Sequence, residues 1–194
     1  MNYLAHAYLS NNEPGILVGN MISDLVKGKQ KFNYAKIIQK GIMHHRAIDE
    51  FTDRHKITIE AKQVFKPAYG LYAGAFIDVV YDHFLANDKN EFAGADELIA
   101  FSQGVYKIMN QYFSELPLRF QQILPHMESY DWLSNYKSIV GMSKSFAGLV
   151  HRAKYIHETQ PANNILLHNY SYLNHCYDHF FKELKNFSSD YLSS

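Results

Sequence analysis

The chain has 194 residues, of which 47% are apolar and 15% aromatic, a composition typical of one globular domain and not of a disordered segment. Nineteen Lys and Arg residues balance nineteen Asp and Glu residues, so the overall charge gives no argument for nucleic-acid binding. The single Cys176 excludes an intramolecular disulfide and fits a reducing compartment. The sequence shows neither a signal peptide nor a run of about 18 apolar residues, and we therefore expect a cytoplasmic protein that does not span or bind a membrane.

Helical patterns follow one another along the chain, and no segment shows the sustained alternation of a strand. Asn33 is the predicted N-cap of the second helix. The predicted helices cover residues 16–26, 34–53, 56–65, 69–86, 91–113, 116–125, 131–136, 141–157 and 162–184. These patterns predict an all-α, compact, single-domain helical bundle over residues 1–187, followed by a flexible tail at 188–194.

The second predicted helix carries three ionisable side chains on one face. His45, Asp49 and Asp53 are spaced four residues apart, which places them one above the other on a helix. Apolar residues flank this face, so we expect it to point inward. Burying a histidine and two carboxylates is unfavourable unless they are paired or bind a metal. The alternative is a set of surface ion pairs with Arg46 and Arg54.

The predicted helix at residues 69–86 carries a second set, Asp78, Asp82 and His83, and contains no Lys or Arg. Two carboxylates on a buried face repel each other unless a cation lies between them, so a metal site is favoured over a structural network. His83 is about 100° around the helix from Asp82 and cannot share its stripe. Either this helix fits into a corner of the core, or His83 is an outer group of the site or a catalytic one.

His6 and Asp24 are isolated candidates in apolar segments, where a lone histidine is more often part of the core. The sequence contains no glycine-rich phosphate loop, no cysteine pair for zinc and no Gly-x-Ser-x-Gly turn. Oxygen ligands with one or two imidazoles favour Mn²⁺, Mg²⁺ or Fe²⁺. We therefore predict a site for one of these ions.

The segment between Asp24 and Asp49 has no acidic residue, although it contains several basic ones. These are Lys27, Lys29, Lys31, Lys36, Lys40 and Arg46. The segment is either a solvated lysine-rich turn or a docking surface that steers an anionic partner to the predicted site.

Several of these motifs together carry a family resemblance. They are the opening MNYLAH at residues 1–6, Gly19-Asn20 followed by Asp24, HRAID at 45–49 with FTDRH at 51–55, and Asp78 with Asp82-His83. In this order they resemble the acyl carrier protein phosphodiesterases, also called acyl carrier protein hydrolases. The likeness is densest over residues 1–90. Tyr3 stands where the family usually has Phe, and the His44-His45 pair leaves open which imidazole faces the site.

The resemblance implies an all-helical, HD-like phosphohydrolase that uses Mn²⁺ and removes 4′-phosphopantetheine from holo acyl carrier protein. It implies roles for the six positions Asp24, His45, Asp49, Asp78, Asp82 and His83, and we add His6 as a further candidate ligand. We assign Asp24, Asp78, Asp82 and His6 to the metal and His45, Asp49 and His83 to catalysis. Because carrier proteins are acidic, Lys27, Lys29, Lys31 and Arg46 are assigned to substrate binding.

The expected mechanism is metal-assisted phosphodiester hydrolysis. Asp49 or Asp82 would orient the attacking water, and His45 or His83 would protonate the departing serine oxygen. Three alternatives remain open, because kinship does not prove an activity. They are an HD-like hydrolase of a small nucleotide, a non-catalytic carrier-binding module and a structural helical protein. The sequence predicts neither the number of metal ions nor the oligomeric state.

Overall fold

The computed structural model describes residues 1–156, 158 and 160–194, which form eleven α-helices and no strand. The all-α prediction is therefore confirmed. The helices are α1 (Tyr3–Tyr8), α2 (Pro14–Ile22), α3 (Lys36–Arg54), α4 (Lys56–Tyr69), α5 (Ala73–Asn87), α6 (Ala95–Gln111), α7 (Leu118–Ser129), α8 (Trp132–Asn135), α9 (Ile139–Arg152), α10 (Gln160–His168) and α11 (Tyr170–Ser193). None of the helices in the described part of the chain is long and apolar enough to cross a bilayer.

Proline positions account for several shifted helix ends. α2 begins at Pro14, where a missing N–H is harmless, and Glu13 accepts a hydrogen bond from the Ile16 backbone N–H. Pro67 and Pro125 lie inside α4 and α7, although the sequence predicted helix ends at both. Packing outweighs the loss of one backbone hydrogen bond, because apolar residues beyond each proline are buried.

The amino-terminal end of α3 and the carboxyl-terminal end of α9 also differ from prediction. The N-cap of α3 is Ala35, and Asn33 belongs to the preceding 3₁₀ turn, Gly28–Asn33. α9 ends at Arg152, and His157, where the sequence predicted its end, lies outside the described residues.

The carboxyl-terminal part of the chain forms two helices where one was predicted at 162–184. The break at Asn169 separates α10 from α11, and α11 continues to Ser193 through the predicted flexible tail. The tail is helical because it packs: Ser188 is buried, and Lys40 donates a hydrogen bond to the Leu192 carbonyl.

α2 and α3 are in direct backbone contact, and this contact determines where the site forms. A Cβ on Gly19 would lie 2.3 Å from the Ile38 carbonyl oxygen, and one on Gly41 would lie 2.3 Å from that of Ile16. Only glycine allows two helices to approach so closely. α2 is buried on nearly every side, and the surrounding helices close one hydrophobic core around it.

Candidate metal centre

Three side chains from two helices meet where the last turn of α1 packs against the middle of α3. Donor atoms of His6, His45 and Asp49 all lie within 4.8 Å of one another. The imidazoles of His6 and His45 stack with their centroids 3.8 Å apart. His6 Nε2 is 3.2 Å from Asp49 Oδ1, and His45 Nε2 is 3.1 Å from Asp49 Oδ2. Both histidines are buried, whereas the Asp49 side chain is 40% exposed, so the cluster opens to solvent on one side.

The orientation of His45 is set by a backbone carbonyl of α2. His45 Nδ1 donates to the Asn20 carbonyl oxygen at 2.8 Å, which directs Nε2 toward the carboxylates. His44 points the other way, with Nδ1 3.0 Å from the Asn20 side-chain nitrogen and Nε2 2.9 Å from Ser188 Oγ. His45 is therefore the imidazole that faces the cluster.

Asp24 lies at the mouth of the cluster. It belongs to the 3₁₀ turn Ser23–Leu25, beyond the end of α2, and its Oδ1 atom is 3.3 Å from His45 Nε2. The Asp24 side chain is 76% exposed, and its contact with His45 lowers its pKa although burial opposes the shift. Asp24 is therefore an ionised carboxylate between the cluster and solvent.

The charges of the cluster are strongly coupled. Burial alone would lower the pKa of His45, but Asp24 and Asp49 raise it to about 9. Burial and the charge on His45 lower the pKa of His6 to about 3. Burial opposes ionisation of Asp49, yet the two imidazoles hold its pKa well below the usual range. Without a metal, the proton on His45 offsets only one of the two carboxylate charges, and a divalent cation could replace it.

The donor set fits a divalent cation. His45 Nε2 is buried and close to two carboxylates, yet neither oxygen lies along its N–H direction, so the nitrogen has no hydrogen-bond partner among the described residues. His6 Nδ1 is buried and unpartnered within the same part of the chain. A buried imidazole nitrogen that faces two carboxylates without a hydrogen bond is a position at which an ion could bind.

Asp78 borders this cluster, whereas Asp82 and His83 do not. Asp78 Oδ1 is 3.0 Å from the Met1 amino group, which is 3.7 Å from Asp49 Oδ1. Asp82 is fully buried and accepts hydrogen bonds from three backbone N–H groups at the start of α1, the shortest from Leu4 at 2.7 Å. The α1 amino terminus thus supplies the positive charge that the α5 sequence lacks.

His83 is held in the core away from the cluster. Its Nδ1 atom is 2.7 Å from the Tyr136 carbonyl oxygen, and Nε2 is 2.9 Å from the Tyr170 hydroxyl. Asp53, on the same predicted stripe as Asp49, is also outside the cluster, and its exposed carboxylate forms an ion pair with Lys62 at 2.7 Å. The structure thus separates three side chains, Asp53, Asp82 and His83, that the sequence grouped with the site.

The basic segment lies on the Asp24 side of the site. Lys27 and Lys29 are exposed, while Lys31 Nζ is 3.1 Å from the Met43 sulfur. Arg46 is half-buried and donates to the Val26 carbonyl at 2.8 Å, which fixes the turn that carries Asp24.

Two features of the site had no clear signal in the sequence. One is the Asn20 carbonyl oxygen, because backbone groups leave no residue pattern, although Gly19-Asn20 was among the motifs of the resemblance. The other is Ser188, which reaches His44 from a segment predicted to be flexible.

The sequence is similar to several curated proteins. The chain is 30% identical over 152 residues to an acyl carrier protein phosphodiesterase of Yersinia pestis and to one of Serratia proteamaculans, covering 78% of this chain and 79% of each relative. It is 28% identical to one of Photorhabdus laumondii, covering 78% of this chain and 77% of the relative. No solved structure matches the chain, so the expected kinship with HD-type phosphohydrolases stays a prediction. Since the sequence model of the acyl carrier protein phosphodiesterase family matches residues 1–184, the chain belongs to that family.

Proposed function

We propose that this protein is a metal-dependent phosphodiester hydrolase that removes 4′-phosphopantetheine from holo acyl carrier protein and returns the apo form. One observation carries the proposal: His6, His45 and Asp49 converge in a half-open cluster, with a buried imidazole nitrogen that has no hydrogen-bond partner among the described residues. The relatives named above are acyl carrier protein phosphodiesterases, which makes a phosphodiester the bond to be broken.

The proposed ligands are His6, His45 and Asp49, with Asp24 available at the open side. Two imidazoles and carboxylate oxygens suit Mn²⁺, with Mg²⁺ and Fe²⁺ as alternatives. When bound, such an ion polarises a phosphoryl oxygen and lowers the pKa of a bound water toward neutrality.

The surrounding residues hold this arrangement and the substrate. Asn20 fixes the ring of His45 through its carbonyl, which keeps Nε2 available to the site. Asp24 is ionised and exposed, so it could orient a water molecule and accept its proton as the water oxygen bonds to phosphorus. The bond between phosphorus and the carrier's serine oxygen would break, and Asp24 could return the proton to that departing oxygen. His83 takes no part in this mechanism, since both of its nitrogens contact groups in the core.

The basic segment supplies the recognition of the carrier. Lys27 and Lys29 are exposed, and the segment adjoins the turn that carries Asp24. A strongly acidic protein docking there would bring its phosphodiester to the open side of the cluster, and the attraction would weaken as salt is raised.

The decisive experiment compares Asp49→Asn with Asp53→Asn, two identical changes four residues apart on α3. With Mn²⁺ present, chromatography measures the phosphopantetheine released from holo carrier protein. Asp49→Asn should lower the rate by about 100-fold or more, because it removes a proposed ligand. Asp53→Asn should leave the rate unchanged, because Asp53 is exposed outside the cluster and forms an ion pair with Lys62.

Equal rates for the two variants would refute the assignment of Asp49 to the site. If metal binds but the carrier remains intact, the small-nucleotide hydrolase becomes the better account. If neither metal binding nor hydrolysis is observed, both enzymatic interpretations fail.

A further inference from the structure

A cavity of about 360 Å³ lies beside α1 on the face lined by α8 and α9. Its walls carry aromatic rings from Tyr3, Tyr130, Trp132 and Tyr136. This volume is within the range of pockets that bind small molecules. We call this cavity the α8–α9 pocket.

The lining of the α8–α9 pocket combines aromatic surface with hydrogen-bonding groups. Lys144 and Arg152 contribute two cations, and the polar residues Asn2, Asn135 and Ser145 also line the pocket. No carboxylate lines the pocket, and neither cation forms an ion pair within the described residues. Such a lining suits a chain that alternates aliphatic groups with carbonyl oxygens and amide N–H groups.

Gly148 has no side chain and so leaves space in the α8–α9 pocket. Lys144, Gly148 and Arg152 are spaced four residues apart on α9 and share one face. A Cβ on Gly148 would meet only the Arg152 guanidinium, at 3.7 Å, so a larger side chain there would extend into open space. Gly148 therefore offers a way to fill the pocket without touching the metal centre.

α1 connects the α8–α9 pocket to the metal centre. Tyr3 lines the pocket, and His6, one turn later on the same face, belongs to the cluster. Only about 4.5 Å of helix rise separates the two residues. Burial raises the pKa of Tyr3, the Asp24 carboxylate raises it further, and Arg152 lowers it, so the Tyr3 hydroxyl lies between the charges of the two sites.

We propose that the α8–α9 pocket binds the pantetheine part of the arm while its phosphodiester lies at the metal centre. The arm carries two amides, a hydroxyl and geminal methyl groups. Its amide oxygens would accept hydrogen bonds from Lys144 and Arg152, and its aliphatic carbons would pack on Trp132 and Tyr136. This inference rests on the proposed function. It identifies the pantetheine arm as a part of the substrate that the enzyme binds in addition to the surface of the carrier protein.

The first test is a titration of the protein with pantetheine, which lacks the phosphate and so does not need the metal. Trp132 is the only tryptophan of the chain and lines the pocket, so its fluorescence reports binding there. We expect a saturable change that persists in the presence of a chelator. The absence of any saturable change would overturn the proposal.

The second test compares Gly148→Leu with Gly148→Ala in the presence of Mn²⁺. Gly148→Leu should abolish the pantetheine response and lower kcat/KM on holo carrier protein by about tenfold or more. It should retain hydrolysis of bis(p-nitrophenyl) phosphate, which has no arm. Gly148→Ala should resemble the unsubstituted protein in all three assays.

The outcomes separate this inference from the proposed function. If holo carrier is hydrolysed equally well by both Gly148 variants, the pocket does not hold the arm, although the enzymatic function stands. If pantetheine binds at Trp132 but holo carrier stays intact with Mn²⁺ bound, the pocket is correct and the proposed reaction is wrong.

Discussion

Because α2 and α3 are in direct backbone contact at Gly19, we expect Gly19→Ala to destabilise the protein and weaken metal binding. The new Cβ would lie 2.3 Å from the Ile38 carbonyl oxygen and 2.7 Å from the Gly41 Cα. Because Cβ contacts under 3.0 Å essentially do not occur, the two helices must separate by about 0.7 Å or more. Both atoms met by the Cβ belong to helix backbone, so no side-chain rotation relieves the clash.

The magnitude follows from two consequences of this separation. Overpacking a core typically costs about 1–3 kcal/mol, and 2 kcal/mol corresponds to a Tm lower by roughly 4–8 °C in a chain of this size. The hydrogen bond from His45 Nδ1 to the Asn20 carbonyl would lengthen from 2.8 Å to about 3.5 Å, beyond the usual limit. A freed His45 ring should lower metal affinity by about tenfold.

The assay is thermal unfolding by circular dichroism, combined with Mn²⁺ titration by calorimetry. Gly104→Ala is the matched control, because Gly104 lies inside α6 and a Cβ there meets nothing within 4 Å. That control should raise stability by about 0.5–1 kcal/mol, since alanine is the better helix former. If Gly19→Ala raises the Tm as Gly104→Ala does, the close packing of α2 on α3 is refuted.

Four further predictions concern the site and its surroundings. Mn²⁺ at about 100 times its Kd should stabilise the protein by about 2.7 kcal/mol in thermal unfolding; a His45→Ala variant that kept the whole effect would contradict the ligand assignment. Asp82→Asn should cost about 1–3 kcal/mol in urea unfolding, because it weakens the hydrogen bonds that hold the start of α1; an unchanged midpoint would contradict that role. Asp78→Ala should lower the rate of hydrolysis more than about tenfold while the circular dichroism spectrum stays helical. Full activity of this variant with metal present would show that Asp78 does not belong to the site. Reversing the charge of Lys27 and Lys29 together should raise KM for the carrier and make KM less dependent on salt, whereas hydrolysis of the control substrate bis(p-nitrophenyl) phosphate should not change. An unchanged KM for the carrier would show that the two lysines do not contribute to docking.

Local periodicity was sufficient to find the centre of the site. His45 and Asp49 lie four apart on an amphipathic helix, and the helix places them together as its period requires. The same period failed for Asp53, because α3 ends at Arg54 and the last turn is exposed beside Lys62 of α4. A four-residue spacing places two side chains on one helix face, but a side chain in the last turn of the helix can still lie outside the core.

Contacts between distant segments could not be predicted in this way. Nothing within α5 shows that Asp82 is neutralised by the start of α1, since Leu4 is 78 residues away in the chain. His6 and Asp24 reach the cluster from separate elements, and only the family resemblance linked Asp24 to His45. The exclusion of His83 likewise depends on Tyr136 and Tyr170, which no pattern around residue 83 reveals.

The central claim is that the His6, His45 and Asp49 cluster holds a metal ion that hydrolyses the phosphodiester of a carrier protein. Intact-mass spectrometry of holo acyl carrier protein, incubated with this protein and Mn²⁺ and with a chelator control, tests it most directly. The account predicts loss of the phosphopantetheine mass with Mn²⁺ and an unchanged carrier with the chelator. A carrier that keeps its arm while Mn²⁺ is demonstrably bound would contradict the account, as would hydrolysis that the chelator does not stop.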